Sequence, residues 1–147
     1  MVAHLGLSGN MQNVSLIERV HRYPRRLLSD DRGWFLKTIT GKEEGLPNST
    51  GEVYFTSAKA GCNKGGHYHE LAQEWFTMIV GKGVLVLEDI DTKECVEIEM
   101  DAEQPETIYI PQRVAHRVDN RSTEDYVMCA YTDVLYDPKD TIAYIFD

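Results

Sequence analysis

The chain lacks what would place it in a membrane, in a disulfide scaffold or on a nucleic acid. No stretch of its 147 residues approaches the roughly 18 uninterrupted apolar residues of a membrane-spanning helix. The N-terminal residues MVAHLGLSGNMQNVS have no basic start followed by a continuous apolar run and a small-residue cleavage site, so no export signal is expected. Cysteine is scarce. Cys62, Cys95 and Cys129 are odd in number and without CxxC spacing, which argues against a disulfide framework or a zinc knuckle and fits a reducing, cytoplasmic setting. They are expected as small core residues. Basic charge is also short: 15 Lys and Arg face 24 Asp and Glu, and a net charge of -9 repels DNA and RNA. Repeats and low-complexity tracts are absent, so residues 1–147 read as one domain large enough for one core.

What is present is a succession of short β-rich runs. From Glu52 onward these are VYFTSA, EWFTMIV, VLVLEDI, ECVEIEM, ETIYIP, VAHRVDN and YVMCAYTD, separated by turn signals in the pattern of a sandwich or barrel. The fold class is therefore all-β. Val96, Ile98 and Met100 alternate with Glu97 and Glu99, which predicts a strand wet on one face and not central. Gly81-Lys82-Gly83 predicts a tight antiparallel hairpin between EWFTMIV and VLVLEDI. Residues 41–50, GKEEGLPNST, read as a surface loop. Residues 1–22 are weakly patterned and are assigned to an edge strand or an arm reaching a second subunit.

One constellation carries chemistry. His67 and His69 are two apart, so on a strand both rings project to the same face, and His116 comes from another β-rich run. Glu74 follows five residues after His69 and can enter the same pocket. Three imidazoles and a carboxylate suit zinc, iron, manganese or nickel, with positions left open for water or substrate. Arg25, Arg26, Lys64, Arg113 and Arg117 fall near these motifs and are candidates to meet a small phosphorylated ligand, against the plainer reading of solvated surface charge.

Residues 61–81 run from Gly61 through His67-Tyr68-His69 and Glu74 to Gly81 in the spacing of the first motif of the cupin superfamily. Pro111, His116 and Asn120 resemble the second motif, with Pro105 and Arg113 standing where glycines are usual. The resemblance implies a double-stranded β-helix, or jelly-roll barrel, which is usually dimeric, with His67, His69, Glu74 and His116 at its mouth. Asp31-Arg32-Gly33-Trp34-Phe35 and Lys64-Gly65-Gly66-His67-Tyr68-His69 resemble segments of sugar-nucleotide epimerases and 3,4-ketoisomerases acting on 4-keto-6-deoxyhexoses. Residues 131–138 are similar to the region where deoxyhexose 3,5-epimerases keep a catalytic tyrosine. Residues 51–146 resemble the C-terminal cupin domain of bifunctional capsular-polysaccharide enzymes.

These resemblances imply a nucleotide-sugar epimerase or 3,4-ketoisomerase of polysaccharide or O-antigen biosynthesis. His67 matches the family's base, His69 its partner or a metal ligand, and Tyr131 or Tyr136 the acid. Lys64, Arg32, Arg113 and Arg117 are the candidate substrate contacts. Whether Lys64 or a divalent metal on the four-residue set stabilises the enolate stays open here. Two other readings stand beside this one: a metal-dependent dioxygenase, and a non-catalytic sugar- or metal-binding module.

Overall fold

The computed structural model describes residues 15–19 and 21–147. Two antiparallel sheets dominate it. One has six strands in the order β1 (Leu27–Asp30), β2 (Gly33–Ile39), β3 (Glu52–Ala58), β10 (Tyr126–Thr132), β5 (Glu74–Val80) and β8 (Thr107–Ile110). The other has five, in the order β11 (Ile142–Ala143), β4 (Asn63–Tyr68), β9 (Val114–Asp119), β6 (Lys82–Asp89) and β7 (Cys95–Asp101). Period-two alternation decides what each strand buries. In β10, Tyr126, Met128, Ala130 and Thr132 are buried while the residues between them are not. These inward residues meet Phe76 and Met78 of β5 and Leu85 of β6 in one core. The Tyr126 hydroxyl, which burial would strand, donates to the Val118 carbonyl at 3.0 Å. This is the cupin double-stranded β-helix.

The Gly81 turn corrects one expectation. Strands β5 and β6 are not a hairpin; β5 pairs with β10 and β8, whereas β6 pairs with β7 and β9. Both strands carry an inward apolar face, and Met78 and Leu85 fill the core from opposite sheets. Gly81, at φ 78°, turns the chain across that gap, and a Cβ there would lie 2.8 Å from the Asp125 carbonyl oxygen.

Strand β7 is the edge its alternation predicted, with Met100 buried and Glu97 and Glu99 exposed. Of the cysteines expected in the core, Cys62 alone packs against it. Cys95 is exposed at the start of this edge strand, and Cys62 and Cys129 are half-buried. Residues 41–50 contain no strand or helix. Of the segment 1–22, residues 1–14 and 20 lie outside the described residues, and Leu16–Arg19 forms a short helix, α1.

Candidate metal centre and its pocket

The site is assembled where β4 meets β9. The β4 register slips between Gly65 and His67, a bulge that re-aims the strand so that His67 comes opposite His116. Gly65 and Gly66 have φ of 97° and 90°, and a Cβ on Gly65 would stand 2.8 Å from the His116 carbonyl oxygen. Bulky residues cannot make this turn. His69 lies just past the end of β4 and Glu74 opens β5, so a short loop links the two.

The four side chains converge as the spacing predicts. One ligand atom from each of His67, His69, Glu74 and His116 lies within 4.8 Å of the others. His69 Nδ1 faces the Asp140 carbonyl at 2.8 Å and His116 Nδ1 faces the Val114 carbonyl at 3.1 Å. A carbonyl only accepts, so each Nδ1 carries a proton, and Nε2 is the ring nitrogen that faces the site. Glu74 Oε2 stands 2.9 Å from His116 Nε2 and 3.4 Å from His69 Nε2. Neither contact is aligned as a hydrogen bond, and all three atoms are buried without a partner. They aim at a common point rather than at one another. Three electron-rich atoms around one buried point call for a cation, and the N and O donor set fits a divalent zinc, iron, manganese or nickel ion.

Burial opposes ionisation of Glu74, but His116 and His69 outweigh it and hold the carboxyl well below its ordinary range. Burial likewise disfavours a charged His69, and Glu74 with the Asp140 carbonyl overcomes it and raises the ring's pKa. His67 goes the other way: burial, then His116 and His69, bring it down to about 4. It is neutral at pH 7.

Supporting residues come from strands and loops that the motif does not include. The Tyr54 hydroxyl donates to Glu74 Oε1 at 2.9 Å, leaving Oε2 for the common point. The Asp140 carboxylate accepts the backbone N–H groups of Glu70, Leu71 and Ala72 at 2.9 to 3.0 Å. Asp133 holds both the backbone and the side-chain amide of Gln73, at 2.8 and 3.0 Å. The whole ligand loop is thus clamped from the chain's C-terminal region. Tyr54 alternates with Thr56 and Ala58 on the inward face of β3, a parity the sequence carries; nothing local marks Asp140.

Two cavities meet at His67, Tyr54 and Phe35. One, of about 360 Å³, also takes in Arg32, Lys64 and His116. Arg32 is engaged with Asp30, its guanidinium and backbone N–H both donating to that carboxylate, which is lowered to about 2 chiefly by the Arg32 side chain. Lys64 is lowered by burial, with Asp30 opposing. The second cavity, of about 150 Å³, takes in His69, Glu74, Lys37, Glu52 and Tyr136. Lys37 pairs with Glu52 at 2.9 Å and sits 5.4 Å over the Tyr136 ring. A neighbouring cavity of about 590 Å³ collects Arg25, Arg26, Lys37 and Tyr136.

Three expected site residues are not brought to the pocket. Tyr131 lies on the outer face of the six-stranded sheet, its ring centroid 5.4 Å from that of Trp75. Arg117 pairs with Asp119 and sits over the Phe146 ring, on the outer face of the five-stranded sheet. Arg113 pairs with Glu70 and Asp91 at the surface, and it takes a φ of 61°, the left-handed conformation that favours glycine.

Cupin topology, a half-buried three-histidine, one-carboxylate cluster and a pocket above it define the class. Within that class, the chain belongs to the polysaccharide biosynthesis C-terminal domain family, whose profile matches residues 28–144. A UDP-2-acetamido-2,6-beta-L-arabino-hexul-4-ose reductase of Pseudomonas aeruginosa is 27% identical over 116 residues, which are 79% of this chain and 30% of the reductase. The spore coat polysaccharide biosynthesis protein SpsL of Bacillus subtilis is 28% identical over 115 residues, covering 75% of this chain and 76% of that protein. The capsular polysaccharide assembling protein CapF of Staphylococcus aureus superposes with a TM-score of 0.74 at 29% identity, over 84% of this chain and 32% of CapF. The chain therefore spans about a third of the reductase and of CapF.

Proposed function

We propose that the chain is a sugar-nucleotide epimerase of polysaccharide biosynthesis that inverts the carbon next to the ketone of a nucleotide-linked 4-keto-6-deoxyhexose. The observation that carries this is the trio of unpartnered atoms, His69 Nε2, Glu74 Oε2 and His116 Nε2, at the floor of an open pocket. Family membership and the 4-ketose named for the Pseudomonas reductase support the substrate class, and make a UDP-linked sugar the first to test. His69, Glu74 and His116 would hold the divalent ion, whose chemistry there is Lewis-acid polarisation of a ketone oxygen.

His67 is the base in this reading. It lines both cavities and is neutral at pH 7, so its lone pair is free to take the C3 hydrogen that the ketone acidifies. Tyr136, at the mouth of the smaller cavity, returns a proton to the opposite face of the enolate and inverts C3. Tyr54 is not free to do so, because its hydroxyl is committed to Glu74. If the C3 hydroxyl proton is lost and C4 is protonated instead, the ketone moves to C3, the 3,4-ketoisomerase outcome.

Incubation in D₂O with UDP- and TDP-linked 4-keto-6-deoxyhexoses, read by NMR, tests the reading. Deuterium at C3 with a new C3 configuration is expected; a 3-ketose would mark the isomerase, and no exchange with any of them rejects both. His67→Ala should abolish exchange while retaining the metal. Loss of the metal in that variant would make His67 a ligand rather than the base.

A further inference from the structure

The segment 133–137 carries Tyr136 past the mouth of the smaller cavity without a strand or helix of its own. Both ends are fastened. Asp133 holds Gln73 through three hydrogen bonds, and the Asp137 carboxylate accepts the Lys139 N–H at the start of the turn Pro138–Asp140. At its centre the segment meets Glu52, the first residue of β3 and only 6% exposed. Glu52 divides its two oxygens: Oε1 accepts the Tyr136 N–H at 3.1 Å, and Oε2 takes the Lys37 ammonium at 2.9 Å. Lys37 Nζ in turn stands over the Tyr136 ring, 5.4 Å from its centre. One carboxylate thus ties down both the backbone of Tyr136 and the cation that covers its ring.

Packing alone does not account for this tie. Burying a carboxylate and an ammonium strips both of water, and such pairs are often no better for stability than apolar residues of the same size. This pair lines the same cavity as His67, His69 and Glu74. Tyr136 itself is 62% exposed, and an exposed phenol on a loop is free to sample several rotamers unless something holds it. Its hydroxyl, unlike that of Tyr54, is committed to no acceptor among the described residues. We propose that Lys37 and Glu52 are positioning residues for Tyr136, holding the phenol where it returns a proton to the enolate, an inference that rests on the epimerase reading. The step balances on the chain's own groups. The Tyr136 O–H bond breaks as the new C3–H bond forms, the electron pair of the enolate enters that bond, and the ketone is restored. The phenolate left behind faces Lys37, whose charge favours it, until water returns its proton. His67 gives up the original hydrogen to solvent.

Removal and return of the proton are then separable by substitution. With a UDP-linked 4-keto-6-deoxyhexose in D₂O, NMR reads deuterium exchange at C3 and inversion of C3 as two rates. A chain whose phenol is misplaced still exchanges, because His67 removes the hydrogen and returns deuterium on its own face. In Lys37→Gln the ratio of inversion to exchange should therefore fall at least ~10-fold. Lys37→Arg keeps the cation and should hold a higher ratio than Lys37→Gln. If Lys37→Gln fails to fold because Glu52 is left buried without its cation, the double variant Lys37→Gln, Glu52→Gln removes both charges together and should show the same fall. A readout free of substrate is the ¹⁹F resonance of 3-fluorotyrosine placed at position 136, which should move when Lys37 becomes Gln. A ratio unchanged from the wild type, equal ratios in the Gln and Arg variants, or an unmoved ¹⁹F resonance overturns the proposal and leaves the epimerase reading standing. A wild type with no exchange at C3 rejects that reading and the proposal with it.

Discussion

His69 takes its orientation from Asp140, a residue 71 positions later in the chain: the Asp140 carbonyl accepts the His69 Nδ1 proton while its carboxylate accepts the next three backbone N–H groups. One residue thus fixes both a ring and the loop that carries it. Asp140→Ala leaves those amides without their acceptor, and urea unfolding should show a loss of about 2–4 kcal/mol. Metal affinity, read by competition with a chromophoric chelator, should fall about 10- to 100-fold. An unchanged affinity would mean that the loop holds its shape without the clamp.

Metal should also be a folding ligand. The three buried atoms face one another without partners, so filling the point between them favours the folded chain alone. At a free metal concentration 100 times the dissociation constant, the added stability should be about 2.7 kcal/mol, seen as a higher thermal midpoint that a chelator reverses. Glu74→Gln should remove most of that difference. The affinity itself should weaken as pH falls, because protons compete for the same imidazole and carboxylate atoms.

Arg113 sets backbone geometry against ion pairing. Its N–H donates to the His69 carbonyl at 2.8 Å from a left-handed conformation at φ 61°. Arg113→Ala removes the pairs with Glu70 and Asp91 and keeps the strained backbone; Arg113→Gly removes the same pairs and relaxes it. The glycine variant should therefore unfold at the higher urea concentration of the two. The reverse order would show that the backbone conformation costs nothing here.

Glu43 gives a pH signature away from the site. Burial opposes its ionisation, but the Thr40 hydroxyl and backbone N–H groups outweigh that, with Arg25 adding to them, and the carboxyl drops from 4.5 to about 2. The folded-state pKa lies below the unfolded value, so the stabilisation is fully present above about pH 4.5 and is lost as pH falls toward 2. Carboxyl-detected NMR should place the Glu43 midpoint near the lower value. Glu43→Gln should flatten the pH dependence of stability within that window.

The ligand set was legible in the sequence because motif spacing and strand parity both act over a few residues. His67, His69, Glu74 and His116 needed only the two-residue repeat of β4 and the match to the cupin motifs. Tyr131 failed by one step of that same repeat. Inward residues of β10 are even-numbered, from Tyr126 to Thr132, so the tyrosine at 131 had to face outward. Lys37 and Tyr54 followed the inward parity of β2 and β3 but carried no motif to mark them. Asp140 was beyond reach, since its role depends on β11 and the 3₁₀ turn returning to the start of β5. The Gly81 turn misled for a related reason: a glycine with positive φ suits a hairpin and a change of sheet equally well.

The change of sheet at Gly81 also bears on when the site can exist. Strands β4 and β5, which border the ligand loop, take every one of their pairing partners from β8, β9, β10 and β11, all later in the chain. During synthesis they wait unpaired until residues beyond 107 have emerged. Closure of such long-range pairs is intrinsically slow, on the millisecond to second scale for β-rich domains. The apolar strand β5 is thus left open to wrong partners for that interval, and the metal centre is among the last things the nascent chain completes.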